Sequence, residues 1–285
     1  MPVRFGYNPQ TAANNTFQKE GFEEKAQENA LREFTTYASL LKANKVEVVI
    51  AEDTEVPYTP DSIFPNNWFS THEDGTLVLY PMFAVNRRNE RKSEFLENIR
   101  RNFEVKRLID LTWWESENQF LEGTGSMIFD RENKIAYAGR SPRTCEPVIA
   151  DFCKQMGYTA VIFDAYDQNG ALIYHTNVMM SVGTKFAVIC LSAITDEQQR
   201  QAVVESLERT GKKVIDISFE QMNNYAGNML ELKTSDGKPI LVMSSTARKS
   251  LTPEQAKELS SYYKLLSPGL EYIENNGGGS ARCML

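Results

Sequence analysis

The chain has 285 residues and carries 31 Lys and Arg against 38 Asp and Glu, a net charge of −7 at pH 7. A surface that is acidic on average repels the phosphate backbone, so we expect no nucleic-acid partner. The first residues lead straight into polar sequence and no eighteen apolar residues run together, so we expect no export signal, no membrane span and a cytoplasmic protein.

The predicted elements begin with a long helix over residues 17–43, where apolar side chains recur at helical spacing from Phe22 to Leu41. A buried strand is predicted at 46–50. Four apolar hairpins follow, over residues 68–80, 126–137, 177–189 and 228–243. Tight turns that need positive φ are predicted at two hairpin tips, Asp74-Gly75 and Asp236-Gly237.

Helix and strand pairs separate the hairpins. Apolar spacing predicts a helix near residues 95–99 leading to a strand at 105–109, and a second helix over 148–156 leading to a strand at 159–162. Thr195 with Gln198, and Thr252 with Gln255, indicate helix N-termini, and the second of these helices is predicted to lead to a strand at 269–273.

The hairpins recur at an almost constant interval. From Asn67 to Gly125, Asn177, Asn228 and Ser280 the steps are 58, 52, 51 and 52 residues, which is typical of a ring of repeated hairpin-helix-strand modules. Residues 1–285 are therefore predicted to form a single domain. Because equivalent strand ends converge on one axis, polar residues at these positions are expected to meet.

Cys283 is the strongest candidate for chemistry. It follows three glycines, Gly277 to Gly279, which allow backbone to approach a side chain closely, and a turn at a strand start would offer N–H groups to a thiolate. The alternative is a flexible glycine tail with an incidental cysteine. Cys153 and Cys190 lie on apolar faces and are predicted to be inert, while Cys145 lies near a helix start.

Two polar residues open other hairpins. His175 could exchange a proton with a thiol or a leaving amine, and Glu122, between apolar residues and glycines, is expected to be half-buried and to need a partner. His72, beside a hairpin tip, is predicted to be solvated. With only two histidines and no Cys-x-x-Cys pair, we expect no metal and no cofactor.

Four segments together carry a family resemblance. In chain order they are Pro60-Asp61-Ser62-Ile63-Phe64-Pro65-Asn66-Asn67, Leu121-Glu122-Gly123, Tyr174-His175-Thr176-Asn177 and Gly278-Gly279-Ser280-Ala281-Arg282-Cys283-Met284. They resemble the guanidino-group modifying superfamily of arginine deiminase, dimethylarginine dimethylaminohydrolase and the amidinotransferases. The resemblance implies an α/β fold, the five-bladed propeller called a pentein. The opening Phe5-Gly6-Tyr7-Asn8-Pro9 also looks like the subgroup of citrulline-using hydrolases.

The resemblance implies a role for each matching residue. Cys283 would be the nucleophile, His175 would protonate the leaving ammonia and activate water, and Glu122 would orient His175. Asp61 would grip the substrate nitrogens. Arg143 would bind the substrate α-carboxylate, Arg87 is a second candidate for that task, and a solvated strand or helix end is the alternative for both.

Two departures from the family pattern bear on the substrate. Asn67 stands where dimethylarginine hydrolases carry a second aspartate, and Asn177 stands where arginine deiminases carry one. A guanidinium offers only donors and a positive charge, whereas a ureido group has an oxygen that needs a donor such as a carboxamide N–H. The sequence therefore favours citrulline, hydrolysed to ornithine, ammonia and carbon dioxide.

Other readings stay open at this point. An arginine deiminase or dihydrolase, a dimethylarginine hydrolase or an amidinotransferase would use a similar site. A non-catalytic pentein that binds a partner is an answer of a different class. We expect a small amino acid as the substrate, and a homo-oligomer remains an option that the sequence does not test.

Overall fold

The computed structural model describes residues 5–19 and 25–285, a mixed α/β structure. Twelve strands are found there: β1 Phe69–Thr71, β2 Thr76–Leu79, β3 Arg107–Asp110, β4 Met127–Asp130, β5 Ile135–Gly139, β6 Thr159–Phe163, β7 Met180–Val182, β8 Phe186–Ile189, β9 Lys213–Asp216, β10 Leu230–Lys233, β11 Pro239–Val242 and β12 Lys264–Leu266.

Twelve α-helical segments lie between them in the same described ranges: α1 Pro9–Ala12, α2 Ala26–Ala43, α3 Val85–Arg88, α4 Ser93–Asn102, α5 Gly123–Ser126, α6 Glu146–Met156, α7 Thr176–Met179, α8 Glu197–Arg209, α9 Phe219–Asn223, α10 Ser245–Ser250, α11 Pro253–Tyr262 and α12 Glu271–Gly277. Short 3-10 helices occur at Pro65–Asn67, Thr112–Glu117, Leu191–Ala193 and Ala281–Met284.

The strands form four three-stranded sheets with one topology: β1-β2-β3, β4-β5-β6, β7-β8-β9 and β10-β11-β12. In each sheet the first two strands are an antiparallel hairpin and the third runs parallel to the second. A helix (α4, α6, α8 or α11) makes the crossover to the third strand, as a parallel connection requires. The predicted hairpin-helix-strand unit is therefore present four times.

Local sequence explains several boundaries. Gly75 and Gly237 have φ of +83° and +81° at hairpin tips, as predicted. Helix α11 begins with a capping box in which Thr252 and Gln255 exchange side-chain and backbone hydrogen bonds. The predicted start of α8 was one residue early, because the carboxylate of Asp196 rather than Thr195 accepts from the backbone N–H of Gln199.

The predicted strand at 46–50 is wrong, since the structure has no strand there. Val46 and Val48 pack against the core, but Val49 and Ile50 are 37% and 41% exposed, and this run is not paired with any of the twelve strands. A β-branched run alone does not make a strand without a partner.

The predicted strand at 269–273 is also wrong. The strand after α11 is β12, and α12 follows from Glu271. Leu270 and Ile273 are both fully buried, and their spacing of three places them on one face of a helix. In the predicted first helix, the structure describes Ala26–Ala43, and Phe22 lies outside the described residues.

The hydrophobic core follows the sheets. One cluster is built mainly on β5 to β9, a second on β2 to β6, and a third joins α2, Phe64 and the segment that carries Cys283. Within residues 5–19 and 25–285, no helix has the length and apolar character needed to cross a bilayer. The chain end is thus packed into the core beside α2.

Candidate active site

Residues that precede the first strand of three of the four sheets meet in one pocket. Asn67 precedes β1, Asn177 lies just before β7 and Asn228 just before β10, and all three line this pocket together with Cys283. The remaining lining residues that bear on function are Thr11, Asp61, Phe64, Arg87, Arg143, Tyr174, His175, Tyr225 and Gly277 to Gly279. The expected convergence of distant polar residues is confirmed.

The glycines before Cys283 are buried rather than flexible. A Cβ on Gly277 or Gly279 would stand 2.7 or 2.8 Å from the ring of Phe64, and Gly278 has φ +65°. The flexible-tail alternative is therefore wrong. Cys283 itself is 7% exposed and lies in the 3-10 helix Ala281–Met284, so the predicted strand start there is also wrong.

Two carboxamides donate hydrogen bonds to the Cys283 sulfur. Nδ2 of Asn177 lies 3.3 Å from Sγ and Nδ2 of Asn228 lies 3.2 Å from it. The orientation of Asn228 is fixed because its Oδ1 accepts the backbone N–H of Arg282 at 3.1 Å. Two N–H donors on one sulfur stabilise negative charge there, as a nucleophilic thiolate requires.

His175 and Glu122 form a buried pair. Nε2 of His175 lies 2.7 Å from Oε2 of Glu122, and Glu122 is fully buried rather than half-buried as expected. Burial lowers the pKa of His175 to about 4, against the opposing pull of the Glu122 carboxylate. At neutral pH the ring is therefore uncharged. Its Nε2–H donates to Glu122, which leaves Nδ1 as a proton acceptor.

Glu122 stays ionised despite its burial. Burial alone would raise its pKa, but Arg143 and the hydrogen bond from His175 outweigh burial and hold the pKa well below its usual range. Nη1 of Arg143 lies 3.4 Å from Oε2 of Glu122, and Oε1 accepts the backbone N–H of Phe83 at 3.0 Å. The carboxylate is thus fixed in place from two sides.

Arg143 is buried, contrary to the solvated alternative. It is 1% exposed, its Nη2 donates to the Thr11 carbonyl at 2.9 Å and to the Asn14 side chain, and its guanidinium lies 5.0 Å from the centre of the Tyr174 ring. These contacts tie the pocket wall to the N-terminal segment.

Asp61 is 2% exposed and accepts mainly neutral donors. Nδ2 of Asn8 donates at 2.6 Å, Oγ1 of Thr11 at 2.9 Å and Nε2 of Gln18 at 3.2 Å. The nearest cation is Arg87, whose Nε stands 4.0 Å away. Asp61 therefore presents an oriented acceptor to the pocket.

Arg87 is also buried, at 3% exposed, and holds Asn67. Its Nη1 donates to Oδ1 of Asn67 at 2.6 Å, and its Nε and Nη2 pair with Glu90 at 2.8 and 2.9 Å. Because arginine can only donate, this contact fixes which end of the Asn67 amide is oxygen. Nδ2 of Asn67 then has no hydrogen-bond partner among the described residues.

His72 is not solvated as predicted. It is 8% exposed, its Nε2 lies 2.9 Å from Oγ of Ser70, and the rings of Phe129, Phe152 and Tyr158 surround it. Burial lowers its pKa to about 4. It lies away from the pocket, so its position supports no catalytic role.

The other cysteines lie outside the pocket. Burial raises the pKa of Cys153 and of Cys190 to about 11, which agrees with inert thiols. Cys145 precedes α6 and is partly buried. Within the described ranges no three His, Cys, Asp or Glu side chains are grouped so as to hold a metal ion.

Sequence reasoning missed Asn228 as a site residue. Its signal was its place in the repeat, 51 residues after Asn177, which was used only to set the period. Asn8 and Gln18 were missed as well, and no local pattern marks them, since their contact with Asp61 spans more than 40 residues.

Comparisons with known proteins show which family the chain belongs to. The family model described as N,N dimethylarginine dimethylhydrolase, eukaryotic, matches residues 1–285. Direct sequence comparison with curated proteins gives no match.

Among solved structures, ArgZ, an arginine dihydrolase from the ornithine-ammonia cycle in cyanobacteria, is 16% identical with a TM-score of 0.77, covering 99% of this chain and 39% of ArgZ. The chain thus spans well under half of that protein. A cysteine-to-serine variant of the ArgZ N-terminal domain bound to substrate is 16% identical, covers 99% and 94%, and has a TM-score of 0.75.

A dimethylarginine dimethylaminohydrolase variant, in an adduct with S-methyl-L-thiocitrulline, is 14% identical, covers 99% of this chain and 96% of that one, and has a TM-score of 0.67. At these identities the structures establish a shared fold. The family model establishes membership of the guanidino-modifying superfamily.

Proposed function

Because the chain belongs to the eukaryotic N,N dimethylarginine dimethylhydrolase family, and so is a C–N hydrolase of the guanidino-modifying superfamily, we propose that it hydrolyses the ureido group of citrulline at Cys283. The products would be ornithine, ammonia and carbon dioxide. The non-catalytic reading is not consistent with this family of enzymes.

The observation that carries the substrate assignment is the orientation of Asn67. Arg87 occupies its Oδ1, so the free end of the carboxamide is an N–H₂ group without a partner. A Cβ on Gly125 would overlap this Nδ2 and stand 3.0 Å from Nδ1 of His175, so the free donor and the free base lie side by side. A ureido oxygen would satisfy the donor, whereas a guanidinium has only donors of its own.

The charges in the pocket point the same way. Its charged lining residues are Asp61, Arg87 and Arg143, and His175 is uncharged at neutral pH. Each of the two guanidiniums is paired with a carboxylate behind the lining, Arg87 with Glu90 and Arg143 with Glu122, so Asp61 is the one lining carboxylate left for a cationic side chain. A neutral ureido group needs no second carboxylate, and the arginines favour the α-carboxylate of an amino acid.

The proposed reaction proceeds in two stages. Nδ1 of His175 takes the proton of the Cys283 thiol, and the thiolate, stabilised by Asn177 and Asn228, adds to the ureido carbon while Asp61 accepts N–H bonds of the substrate. The C–N bond to the terminal nitrogen breaks, and His175 delivers the proton with which ammonia leaves. This yields a carbamoyl thioester between ornithine and the enzyme.

In the second stage Nδ1 of His175 takes a proton from water. The hydroxide attacks the thioester carbon, the C–S bond breaks, and the carbamate of ornithine is released. That carbamate loses carbon dioxide to give ornithine. Glu122 stabilises the imidazolium of His175 in both stages, because its buried carboxylate carries a negative charge next to the ring.

We assign different tasks to the two arginines. Arg87 orients Asn67 and does not bind the substrate directly, because its N–H donors are already bound to Asn67 and Glu90. Arg143 remains the proposed partner of the substrate α-carboxylate. Its contact with the Glu122 carboxylate is 3.4 Å, which is long for a charge-assisted bond and leaves donor capacity.

Arginine dihydrolase is the second candidate. Asp61 is a carboxylate held by neutral groups, and it could accept the N–H bonds of a guanidinium as readily as those of a ureido group. The same cysteine would then release ammonia from arginine before it acts on the citrulline formed. An amidinotransferase would differ by requiring an acceptor amine.

We also propose that the whole chain is one five-bladed pentein domain. The four sheets would be four blades, and α2 with the segment around Cys283 would be the fifth, without regular strands. Support comes from the shared topology of the sheets and from the contact of the Tyr37 hydroxyl with the Ala281 carbonyl at 3.2 Å.

The test measures ammonia release from citrulline and from arginine. Wild type is expected to prefer citrulline, and Cys283→Ser to lose more than about 10³-fold of activity. Asn67→Asp removes the donor and should shift the citrulline-to-arginine ratio of kcat/KM towards arginine by about ten- to a hundredfold, since one such contact is worth about 1 to 3 kcal/mol.

Asn66→Asp is the matched control, because Asn66 is equally buried but does not line the pocket. A wild type that prefers arginine would refute the substrate assignment. An unchanged ratio in folded Asn67→Asp would refute the role of Asn67.

A further inference from the structure

A second cavity of about 360 Å³ lies beyond the wall of the active-site pocket. It is lined by the first strands of the four sheets, β1, β4, β7 and β10, and by Arg282. The second cavity shares no lining residue with the active-site pocket. Two adjacent residues of the chain nevertheless line different cavities: Arg282 lines the second cavity and Cys283 lines the pocket. A thin wall therefore separates them.

Arg282 is a buried cation that forms no ion pair with the described part of the chain. It is 6% exposed, its Nη1 donates to the Thr124 carbonyl at 2.8 Å, and no carboxylate in residues 5–19 and 25–285 lies within 4.0 Å of its guanidinium. A guanidinium has five N–H donors, so most of its capacity faces the cavity.

Two of the acidic side chains that line the same cavity already have partners. Asp130 pairs with Lys212 at 2.9 Å, and Glu231 accepts from the Thr184 hydroxyl at 3.0 Å and the Tyr263 hydroxyl at 2.8 Å. Glu132 is exposed. None of them neutralises Arg282.

This arrangement is costly for the positive charge. Burial lowers the pKa of Arg282 to about 10. A buried charge normally acquires a hydrogen-bonded partner of opposite sign, because water in a narrow cavity replaces bulk solvation only in part. Apart from an ionised Cys283, the described residues supply no such partner.

We propose that this cavity binds a small oxyanion, with Arg282 as its anchor. The planar fork of a guanidinium suits two oxygens of a tetrahedral or planar oxyanion, and the cavity is large enough for inorganic phosphate. Because Arg282 precedes Cys283, the bound anion offsets the positive field at the thiol. The anion therefore reduces the reactivity of Cys283 from outside the substrate pocket.

The first experiment measures binding of inorganic phosphate by calorimetry at constant ionic strength. Wild type is expected to bind one phosphate saturably, and Arg282→Met to bind it at least tenfold more weakly. Lys233→Met is the matched control, because Lys233 lines the same cavity but is exposed. It should bind phosphate as wild type does.

Absence of saturable binding in wild type overturns the proposal, and so does equal affinity in Arg282→Met, which would place the anion in the substrate pocket. Equally weakened phosphate binding in Arg282→Met and Lys233→Met would indicate non-specific electrostatic attraction and would also contradict the proposal. Should Arg282→Met not fold, Arg282→Lys keeps the charge without the fork and is expected to bind several-fold more weakly.

A second measurement follows the rate of Cys283 alkylation. Saturating phosphate should slow alkylation several-fold in wild type and have no effect in Arg282→Met. No slowing in wild type would refute the link to the thiol. Neither measurement involves citrulline, so these results are independent of the proposed substrate.

Discussion

Replacing Glu122 by Gln should lower kcat by about 10³-fold. The substitution keeps the shape of the side chain and one oxygen that can accept the Nε2–H of His175. It removes the negative charge 2.7 Å from that nitrogen, and with it the partner of the imidazolium that forms during each stage of the reaction.

The magnitude follows from the geometry. Two unit charges about 4 Å apart interact by about 4 kcal/mol at an effective dielectric constant of 20, and each 1.4 kcal/mol is about tenfold in rate. We also expect Glu122→Gln to lower the free energy of unfolding by a smaller amount. The glutamine N–H₂ would face the backbone N–H of Phe83, which in wild type donates to Oε1 of Glu122 at 3.0 Å.

The assay is kcat for ammonia release from citrulline, with unfolding by denaturant to verify the fold. Glu115→Gln is the control, because Glu115 is also ion-paired to an arginine, Arg91 at 2.8 Å, and lies outside the pocket. It should keep kcat within about twofold of wild type. A loss of less than tenfold in folded Glu122→Gln would show that the buried charge is structural.

Two further outcomes are expected. Asn228→Ala removes one of the two hydrogen-bond donors to the Cys283 sulfur and should slow iodoacetamide alkylation at pH 7 about tenfold, since a hydrogen bond to a charged group contributes about 1.5 kcal/mol or more. An unchanged rate would show that the contact does not stabilise the thiolate. His72 has a pKa of about 4 in the folded protein and 6.5 in the unfolded chain, so the unfolded chain binds a proton first and the free energy of unfolding decreases as the pH falls through this window. Between pH 7 and pH 5, wild type should lose about 2 kcal/mol more of this free energy than His72→Gln. Equal losses in denaturant unfolding would contradict the burial of a neutral His72.

Much of the architecture could be predicted from local pattern. Alternating apolar residues and turn glycines such as Gly75 and Gly237 mark the hairpins, because both signals act between near neighbours. The regular step from Asn67 to Asn177 and Asn228 then predicts that these residues meet, and they do. Cys283, His175 and Glu122 were reached through the repeat and the family resemblance together.

Local pattern failed where a partner was distant or missing. The run at 46–50 has strand-forming residues but pairs with no strand, and Leu270 with Ile273 forms a helix face although the sequence predicts a strand. His72 was taken for a surface residue because the rings that bury it come from residues 129–158.

The sequence by itself determined the repeated unit, the residues available for chemistry and the substitution of Asn67 and Asn177 for aspartates. Only the tertiary structure decided how each side chain is used. The contact with Arg87 orients the amide of Asn67, two carboxamides donate to the sulfur of Cys283, and Arg282 has no ion pair with a carboxylate of residues 5–19 or 25–285. The reason is physical: which atom of an amide or guanidinium is free depends on hydrogen bonds between residues far apart in the chain, and no local period encodes them.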